Sequence, residues 1–176
     1  RGAIMDFSRV IEIDPNSDGA YFNRGNAQRE INNLPEAIAD FDKAIRLNPK
    51  YIEAYLNRAQ TLVNMGNYDA AMTDFDKILQ INPQYIKAYI GRGTLYCDVL
   101  KNHNRAFADF SRAIEINPNY ADAHFNLGNV RLARGDPYGA IADYTRAINI
   151  DPNFDLAYLS RGVLYFDVLK NYSHAF

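Results

Sequence analysis

The chain of 176 residues has no tryptophan, one cysteine and a formal net charge of only −2. The single cysteine, Cys97, excludes an internal disulfide. The chain has no run of about 18 or more apolar residues, the length that crosses a bilayer, so we expect no membrane insertion. Basic and acidic residues are mixed along the chain without a basic patch, which argues against a nucleic-acid-binding protein.

The N-terminal sequence, RGAIMDFSRV, has neither an initiator methionine nor the apolar core of a signal peptide. We therefore expect the sequence to begin inside a longer protein. The missing signal and the single free cysteine favour a cytoplasmic location.

The chain also lacks the residue clusters that catalysis needs. His103, His124 and His174 form no ligand cluster, no glycine-rich phosphate loop occurs, and Cys97 has no histidine close to it in sequence. We therefore predict no catalytic residue, no metal site and no cofactor, and a protein that is not an enzyme.

What the chain does have is a period. Five prolines share one context, in EIDPN, RLNPK, QINPQ, EINPN and NIDPN, and follow each other at spacings of 34, 34, 35 and 34 residues. Each period holds two amphipathic helical patterns; in the first, Tyr55, Ala59 and Leu62 fall on one face and Gly66 offers a left-handed stop. The proline ends the second pattern, because it has no N–H and disfavours α geometry before it. One such helix pair cannot bury its apolar face, so the pattern predicts a stacked solenoid.

Small and large residues recur at fixed places in these helices. The first helix carries a ring and, four positions later, a small residue; the second carries an alanine and then an aromatic residue. The small positions of the first helix are Gly25, Ala59, Gly93, Gly128 and Gly162, and the aromatics of the second are Phe41, Phe75, Phe110 and Tyr144. With the alanines and the prolines, this pattern resembles the tetratricopeptide repeat (TPR) family. The resemblance implies an all-α, right-handed superhelical solenoid of antiparallel helix pairs.

The period sets the expected boundaries within a single TPR domain over residues 1–176. We predict the second helix of a preceding repeat at 1–17, complete repeats at 18–51, 52–85, 86–120 and 121–154, and a truncated repeat at 155–176. The repeat at 86–120 has 35 residues, and its extra residue lies in LYCDVLKNHNRAF, a stretch that recurs as LYFDVLKNYSHAF at 164–176. The turn glycine is missing there, so we expect Asn102 or Asn171 in the left-handed position.

One departure from the family pattern is systematic. An arginine precedes the small residue where leucine is usual, at Arg24, Arg58, Arg92 and Arg161, with Leu127 in the fourth complete repeat. An aspartate precedes each aromatic of the second helix, at Asp6, Asp40, Asp74, Asp109 and Asp143. We predict that these residues form a partly buried Arg–Asp ladder rather than ligand contacts.

The resemblance places a second face of the first helices on a concave groove, where side chains are apolar or amides. The predicted peptide-binding residues are Asn23, Asn26, Asn57, Gln60, Asn126, Asn129, Phe22, Phe125 and Lys87. Amide side chains complement the N–H and C=O groups of an extended chain, and the row is similar to the asparagine ladder in the TPR arm of O-linked N-acetylglucosamine transferases. The family's two-carboxylate clamp is not expected, since Lys87 alone occupies one of its basic positions.

Several readings remain open at this point. The asparagines can contact a ligand or bond neighbouring repeats, and the apolar row can pack inside the protein. The predicted function is a protein–protein interaction scaffold that holds an extended or helical peptide of a partner. The alternatives are a substrate-recruiting arm of a larger enzyme such as a glycosyltransferase, and a structural solenoid that assembles through its ends, where exposed apolar helix faces favour end-to-end self-association.

Overall fold

A computed structural model describes the backbone of residues 2–173 and the side chains of residues 2–167. Over this range the chain is helical and contains no strand. The helices are α1 (Gly2–Ile13), α2 (Asp18–Glu30), α3 (Leu34–Leu47), α4 (Ile52–Asn64), α5 (Tyr68–Ile81), α6 (Ile86–Thr94), α7 (His103–Ile116), α8 (Ala121–Ala133), α9 (Pro137–Ile150) and α10 (Asp155–Ser173), with a π-helical segment at Leu95–Val99. The predicted all-α architecture of antiparallel helix pairs is confirmed.

The chain forms two compact units, the first ending at Ala88 and the second beginning at Tyr89. In the first unit α2 packs against α3 and α4 against α5, while α1 covers α2 and α3 covers α4. In the second unit α8 packs against α9, with α7 on one side of this pair and α10 on the other. Within each unit the packing therefore joins helices that are neighbours in sequence, as expected of a repeat protein. The exact repeat boundaries stay a prediction.

Prolines and left-handed residues limit the helices as the sequence predicts. Each proline of the repeated motif follows the last residue of a helix by two positions, after α1, α3, α5, α7 and α9. Pro35 and Pro137 lie in the first turn of α3 and α9, where a missing N–H costs nothing. The turns inside the four complete repeats each contain one residue with positive φ, at Asn32, Gly66, Lys101 and Gly135.

The expectation for Asn102 and Asn171 was wrong. Lys101 takes the left-handed conformation, with φ of 51°. Asn102 has φ of −92° and caps α7, its side chain accepting a hydrogen bond from the Arg105 N–H. The left-handed residue directly precedes the N-cap here as in the other complete repeats, so position 101, and not 102, corresponds to Gly66 and Gly135. Asn171 lies within α10. The C-terminal SHAF, where a further helix was predicted to start, occupies residues 173–176, of which Ser173 still belongs to α10 and 174–176 lie outside the described range.

The extra residue of the third complete repeat is absorbed by the π-helical segment. Leu100 donates its N–H to the carbonyl oxygen of Leu95, a bond that spans five residues instead of four. A single π turn is the usual way in which a helix accommodates one inserted residue. The inserted residue thus widens the last turn of the first helix of this repeat. The second helix, α7, keeps the same pairing with the first helix as in the other repeats.

The aromatic rings of the second helices pack directly against the small residues of the first helices. A methyl group added at Gly25, Gly93 or Gly128 would lie 2.8, 2.7 and 2.7 Å from the rings of Phe41, Phe110 and Tyr144. These three rings are almost fully buried. The glycines are therefore required for close approach of the two helices, which confirms the packing predicted from the sequence.

The Arg–Asp ladder is confirmed for Arg24, Arg58 and Arg92, whereas Arg161 donates to Thr145 Oγ1 instead of an aspartate. Arg24 donates through Nε and Nη2 to Asp40 at 2.8 and 2.6 Å, and Arg92 donates in the same way to Asp109 at 2.9 and 2.7 Å. Arg58 contacts both oxygens of Asp74 and also donates to Asp42. The pairs of Arg24 with Asp40, Arg58 with Asp74 and Arg92 with Asp109 each join the two helices of one repeat, whereas the contact of Arg58 with Asp42 joins neighbouring repeats. The guanidiniums lie over the rings of Tyr21, Tyr55 and Tyr89, which fixes their orientation.

The fourth complete repeat breaks this pattern at two positions. Leu127 replaces the arginine, and His124 replaces the tyrosine beneath it. His124 donates through Nε2 to the carbonyl oxygen of Pro118 at 2.9 Å. Asp143 is left with Arg131, whose Nε lies 3.2 Å from Oδ2. Among the described residues, neither His124 Nδ1 nor Asp143 Oδ2 has a hydrogen-bond partner, although both are buried.

Burial raises the pKa of Asp143 above its ordinary value, against the opposing charges of Arg131 and His124. A raised pKa in the folded state means that the folded chain binds its proton more tightly than the unfolded chain. The stability contributed by Asp143 is then lost as pH rises from the unfolded value, about 3.9, through the raised folded value.

We expect the stability of the Asp143→Asn variant not to fall over this pH range. At pH 7 its free energy of unfolding should equal that of the parent or exceed it by about 1 kcal/mol. Urea unfolding between pH 4 and pH 7 measures the difference. The matched control is Asp109→Asn, which removes the charged partner of Arg92 and is expected to cost about 2 kcal/mol at pH 7. Equal destabilisation by the two variants would contradict the interpretation of Asp143.

Candidate functional site

The first unit carries four of the predicted amide residues on the exposed side of α2 and α4. Asn57 donates through Nδ2 to Asn26 Oδ1 at 2.7 Å, which ties two neighbouring repeats together. Arg29 donates through Nη1 to Gln60 Oε1 at 3.4 Å, a second and longer link. We call the four amide residues Asn23, Asn26, Asn57 and Gln60 the first amide face. Two of the predicted asparagines therefore bond each other across the repeat interface.

The hydrogen bond between Asn26 and Asn57 leaves half of each amide available. Asn57 keeps its Oδ1 acceptor and Asn26 keeps its Nδ2 donors, since only the opposite atoms are used. Asn23, one turn earlier on α2, is exposed, and its side chain has no hydrogen-bond partner among the described residues. The first amide face thus presents both donors and acceptors, oriented by a contact within the protein.

The ring of Phe22 is partly packed against other rings and partly exposed at the surface. Its centroid lies 4.9 Å from that of Tyr51 and 6.1 Å from that of Phe41, and the side chain is half-buried. Leu56, the corresponding residue of the next repeat, is fully buried. Lys87 lies exposed in the first turn of α6 and takes no part in the hydrogen bonds of the first amide face.

The second unit holds the other predicted amides around a cleft of about 50 Å³. The cleft is lined by Thr94, Cys97, Asp98, Phe110, Asn126 and Asn129. Asn129 accepts a hydrogen bond through Oδ1 from the Tyr144 hydroxyl at 2.8 Å and keeps its Nδ2 donors. Asn126 has no hydrogen-bond partner in the described part of the chain. We call Asn126, Asn129 and the cleft between them the second amide face.

Phe125 resembles Phe22 in its setting. Its ring centroid lies 5.6 Å from Tyr144 and 5.0 Å from Phe154. The side chain is half-buried and belongs to the apolar cluster between α9 and α10. Both predicted phenylalanines are therefore partly used for packing between repeats, and each keeps an edge at the surface beside the amides.

Sequence reasoning missed two contributors to the second amide face. Tyr144 reaches the site with its hydroxyl, and Asp98 lines the cleft. A signal for Tyr144 was present, because Tyr144 stands where the other complete repeats have phenylalanine. Asp98 gave no such signal, since the π-helical segment that presents it cannot be recognised from apolar periodicity.

Cys97 has a histidine nearby in space, six residues further along the chain. Its Sγ lies 3.9 Å from His103 Nδ1. Burial and the neighbouring Asp98 carboxylate raise the pKa of the thiol. The thiol is therefore protonated at neutral pH and is a poor nucleophile.

Among the described residues, no three histidine, cysteine or acidic side chains come together in a way that could hold a metal ion. No described helix combines the length and the apolar character needed to cross a bilayer.

Models of repeat families match most of the chain. A model described as TPR repeat matches residues 25–66 and 100–135. Two models described as tetratricopeptide repeat match residues 52–85 and 121–154, and residues 7–39. The matched ranges together extend over well more than half of the sequence. No curated protein matches the chain.

Solved structures show the same arrangement of helices. The MamA protein is 28% identical at a TM-score of 0.74, covering 84% of this chain and 80% of its own. YrrB, described as a TPR protein with an unusual peptide-binding site, is 26% identical at 0.73, covering 90% and 81%. A tetratricopeptide repeat protein from Parabacteroides merdae is 25% identical at 0.83, covering 97% and 67%.

Proposed function

This chain belongs to the tetratricopeptide repeat family, and from that premise we propose that it is a protein–protein interaction scaffold in which each amide face binds an extended segment of a partner. The observation that carries the proposal is the hydrogen bond between Asn57 and Asn26. It holds two side-chain amides in fixed orientation at the surface while leaving one acceptor and two donor hydrogens for another molecule. Similarity to YrrB, whose description names a peptide-binding site, supports the same role.

Preorganisation is what makes such amides useful. A free asparagine must lose side-chain entropy when it binds, whereas Asn26 and Asn57 are already held by each other. The N–H and C=O groups of an extended peptide require alternating acceptors and donors, and the remaining Asn57 Oδ1 and Asn26 Nδ2 supply one of each. Recognition of this kind reads the backbone, so the bound segment is defined by its extended form rather than by a strict sequence.

The flanking rings add an apolar component. Phe22 and Phe125 lie beside the amides and keep an exposed edge, onto which alternate side chains of an extended peptide can pack. Apart from Asp98, the side chains of the two amide faces are uncharged, with Arg29 bonded to Gln60 beside the first, so we propose a partner segment of mixed polar and apolar residues. If the chain is the recruiting arm of a larger enzyme, the bound segment is that enzyme's substrate and the same contacts apply.

We expect the Asn23→Ala, Asn57→Ala, Asn126→Ala triple variant to bind peptides at least about tenfold more weakly, because each lost hydrogen bond contributes about 1 kcal/mol. An array of short unstructured peptides identifies a binder for the parent chain. Fluorescence anisotropy with that peptide then measures the dissociation constants of the parent and of the variant.

The matched control is Asn149→Ala, an exposed asparagine of α9 that belongs to neither amide face. This variant is expected to bind as the parent does. Circular dichroism verifies that all chains keep their helices. Unchanged affinity of a folded triple variant would refute the proposed binding mode.

A second candidate function is self-assembly through the ends of the chain. The observation that favours it is the exposure of apolar side chains on α1 and α10, where most interior helices bury theirs. These side chains are Met5, Val10 and Ile13 of α1, and Leu156, Tyr158, Leu159, Val163, Tyr165 and Phe166 of α10. Apolar patches of this kind commonly mark protein–protein contacts.

A further inference from the structure

The cleft of the second amide face carries one charged group, the carboxylate of Asp98. Its two walls come from neighbouring repeats, and its base comes from the helix between them. The end of α6 and the π-helical segment supply Thr94, Cys97 and Asp98, helix α8 supplies Asn126 and Asn129, and α7 supplies Phe110. Phe110 is almost fully buried, so the polar side chains of the two walls determine what the cleft can bind.

Asp98 is exposed and has no ion-pair partner among the described residues. It interacts with the Cys97 thiol, which is uncharged at neutral pH. Lys101, three residues further along the chain, lines a different cavity together with His103 and Arg134. The charge of Asp98 is therefore not neutralised within the cleft.

Neutral acceptors lie beside this carboxylate. The Oδ1 atom of Asn126 is free, since that side chain has no hydrogen-bond partner in the described part of the chain. Asn129 Oδ1 accepts one hydrogen bond, from the Tyr144 hydroxyl, and keeps a second lone pair. One helical turn before Asn126, the exposed Asp122 adds a further carboxylate to the same side of α8. Carboxylate and carbonyl oxygens together complement a cation that has several hydrogen-bond donors.

We propose that the cleft binds the ammonium group of a lysine side chain in the partner segment, with Asp98 as its counter-ion. A lysine ammonium is a compact charge with three donors, whereas an arginine guanidinium is a wider planar group. The cleft of about 50 Å³ has room for the smaller of the two. This inference rests on the proposed peptide-binding function and names the side chain that the second amide face selects. The Nδ2 donors of Asn129 stay available for a carbonyl oxygen of the bound segment.

We expect a peptide with lysine at its central position to bind about fivefold more tightly than the same peptide with methionine there. An ion pair with an exposed carboxylate contributes a factor of about this size, and methionine is a long side chain without the charge. Glutamate at that position should bind more weakly still, because it places like charges together. An array of short unstructured peptides, each made in these three forms, identifies the binders, and fluorescence anisotropy measures their dissociation constants.

Two variants of Asp98 test its role as the counter-ion. Asp98→Asn keeps the size of the side chain and removes its charge, so this variant should bind the lysine and methionine forms with equal affinity. Asp98→Lys should reverse the order and bind the glutamate form most tightly, a result that a change of structure alone would not give. Circular dichroism verifies that both variants keep their helices.

The matched control is Glu115→Gln. It removes the same charge from an exposed residue of α7, whose carboxylate pairs with Arg112 and does not line the cleft. This variant should keep the parent's preference for the lysine form, which separates a local contact with Asp98 from the effect of net charge.

The outcomes separate the lysine site from the function on which it rests. A parent chain that binds no peptide of the array overturns both. A parent chain that binds the lysine and methionine forms equally, or an Asp98→Asn variant that keeps the preference, overturns the lysine site and leaves peptide binding standing. A preference that disappears in Asp98→Asn, reverses in Asp98→Lys and persists in Glu115→Gln supports the site.

Discussion

Replacing Asp74 with alanine is expected to lower the free energy of unfolding by about 3–5 kcal/mol, the usual loss when one member of a buried ion pair is removed. Arg58 donates to both oxygens of Asp74, and the carboxylate is almost completely buried. Burial works against the charge of Arg58, but the hydrogen bonds and charges of Asp74 and Asp42 raise its pKa above the ordinary value. Arg58 therefore stays charged, and without Asp74 it keeps only one partner in a buried setting.

Urea unfolding followed by circular dichroism measures the loss. The control is Asp42→Ala, which removes the other carboxylate bound to Arg58. Asp42 is half-exposed, and a partly solvated pair contributes about 1 kcal/mol or less. Similar losses for the two variants would show that Arg58 turns to solvent when Asp74 is removed, and that the ladder is not the source of its stability.

The ladder illustrates which features the sequence could predict. Its residues recur with the same period as the prolines, so their pairing follows once the helix pairs are recognised. Gly66 behaves likewise, because a left-handed stop is a local property of the residue. The same logic predicted the seats of Phe41 and Phe110, since a glycine and a ring at matching places in adjacent helices leave few other arrangements.

Features that break the period could not be predicted in this way. The inserted residue of the third complete repeat created a π-helical segment, which apolar periodicity does not reveal. Asparagine tolerates a left-handed turn better than lysine does, but Asn102 serves as the cap of α7. The balance between these two roles depends on the geometry of the whole turn.

The amide faces could be predicted from the sequence only in part. Periodicity placed the asparagines on one side of the first helices. It could not decide that Asn57 bonds Asn26 whereas Asn129 bonds Tyr144, because these contacts depend on distances between separate helices. Both arrangements orient an amide at the surface, but they use different atoms. The first unit offers a free acceptor on Asn57, whereas the second offers the donors of Asn129.

Tyr144→Ala is expected to destabilise the second unit by about 3–5 kcal/mol, the range found when a buried aromatic ring is truncated. The ring is almost fully buried and lies against Gly128, so no larger side chain is present to fill the space that it leaves. Phe125, whose centroid is 5.6 Å away, loses a packing partner as well. Hydrogen exchange of the α8 and α9 amides measures the local loss, which should exceed any change in the first unit.

Tyr144→Phe separates the ring from its hydroxyl and is the matched control. Phenylalanine occupies this place in the other complete repeats, as in Phe110, so the ring should fit and the loss should be about 1 kcal/mol, that of one hydrogen bond. The variant also frees Asn129 Oδ1, since that atom accepts from the hydroxyl. If the amide faces bind a partner, Tyr144→Phe should alter peptide affinity without unfolding the chain. A large loss of stability in this variant would instead show that the hydroxyl, and not the ring, holds α9 against α8.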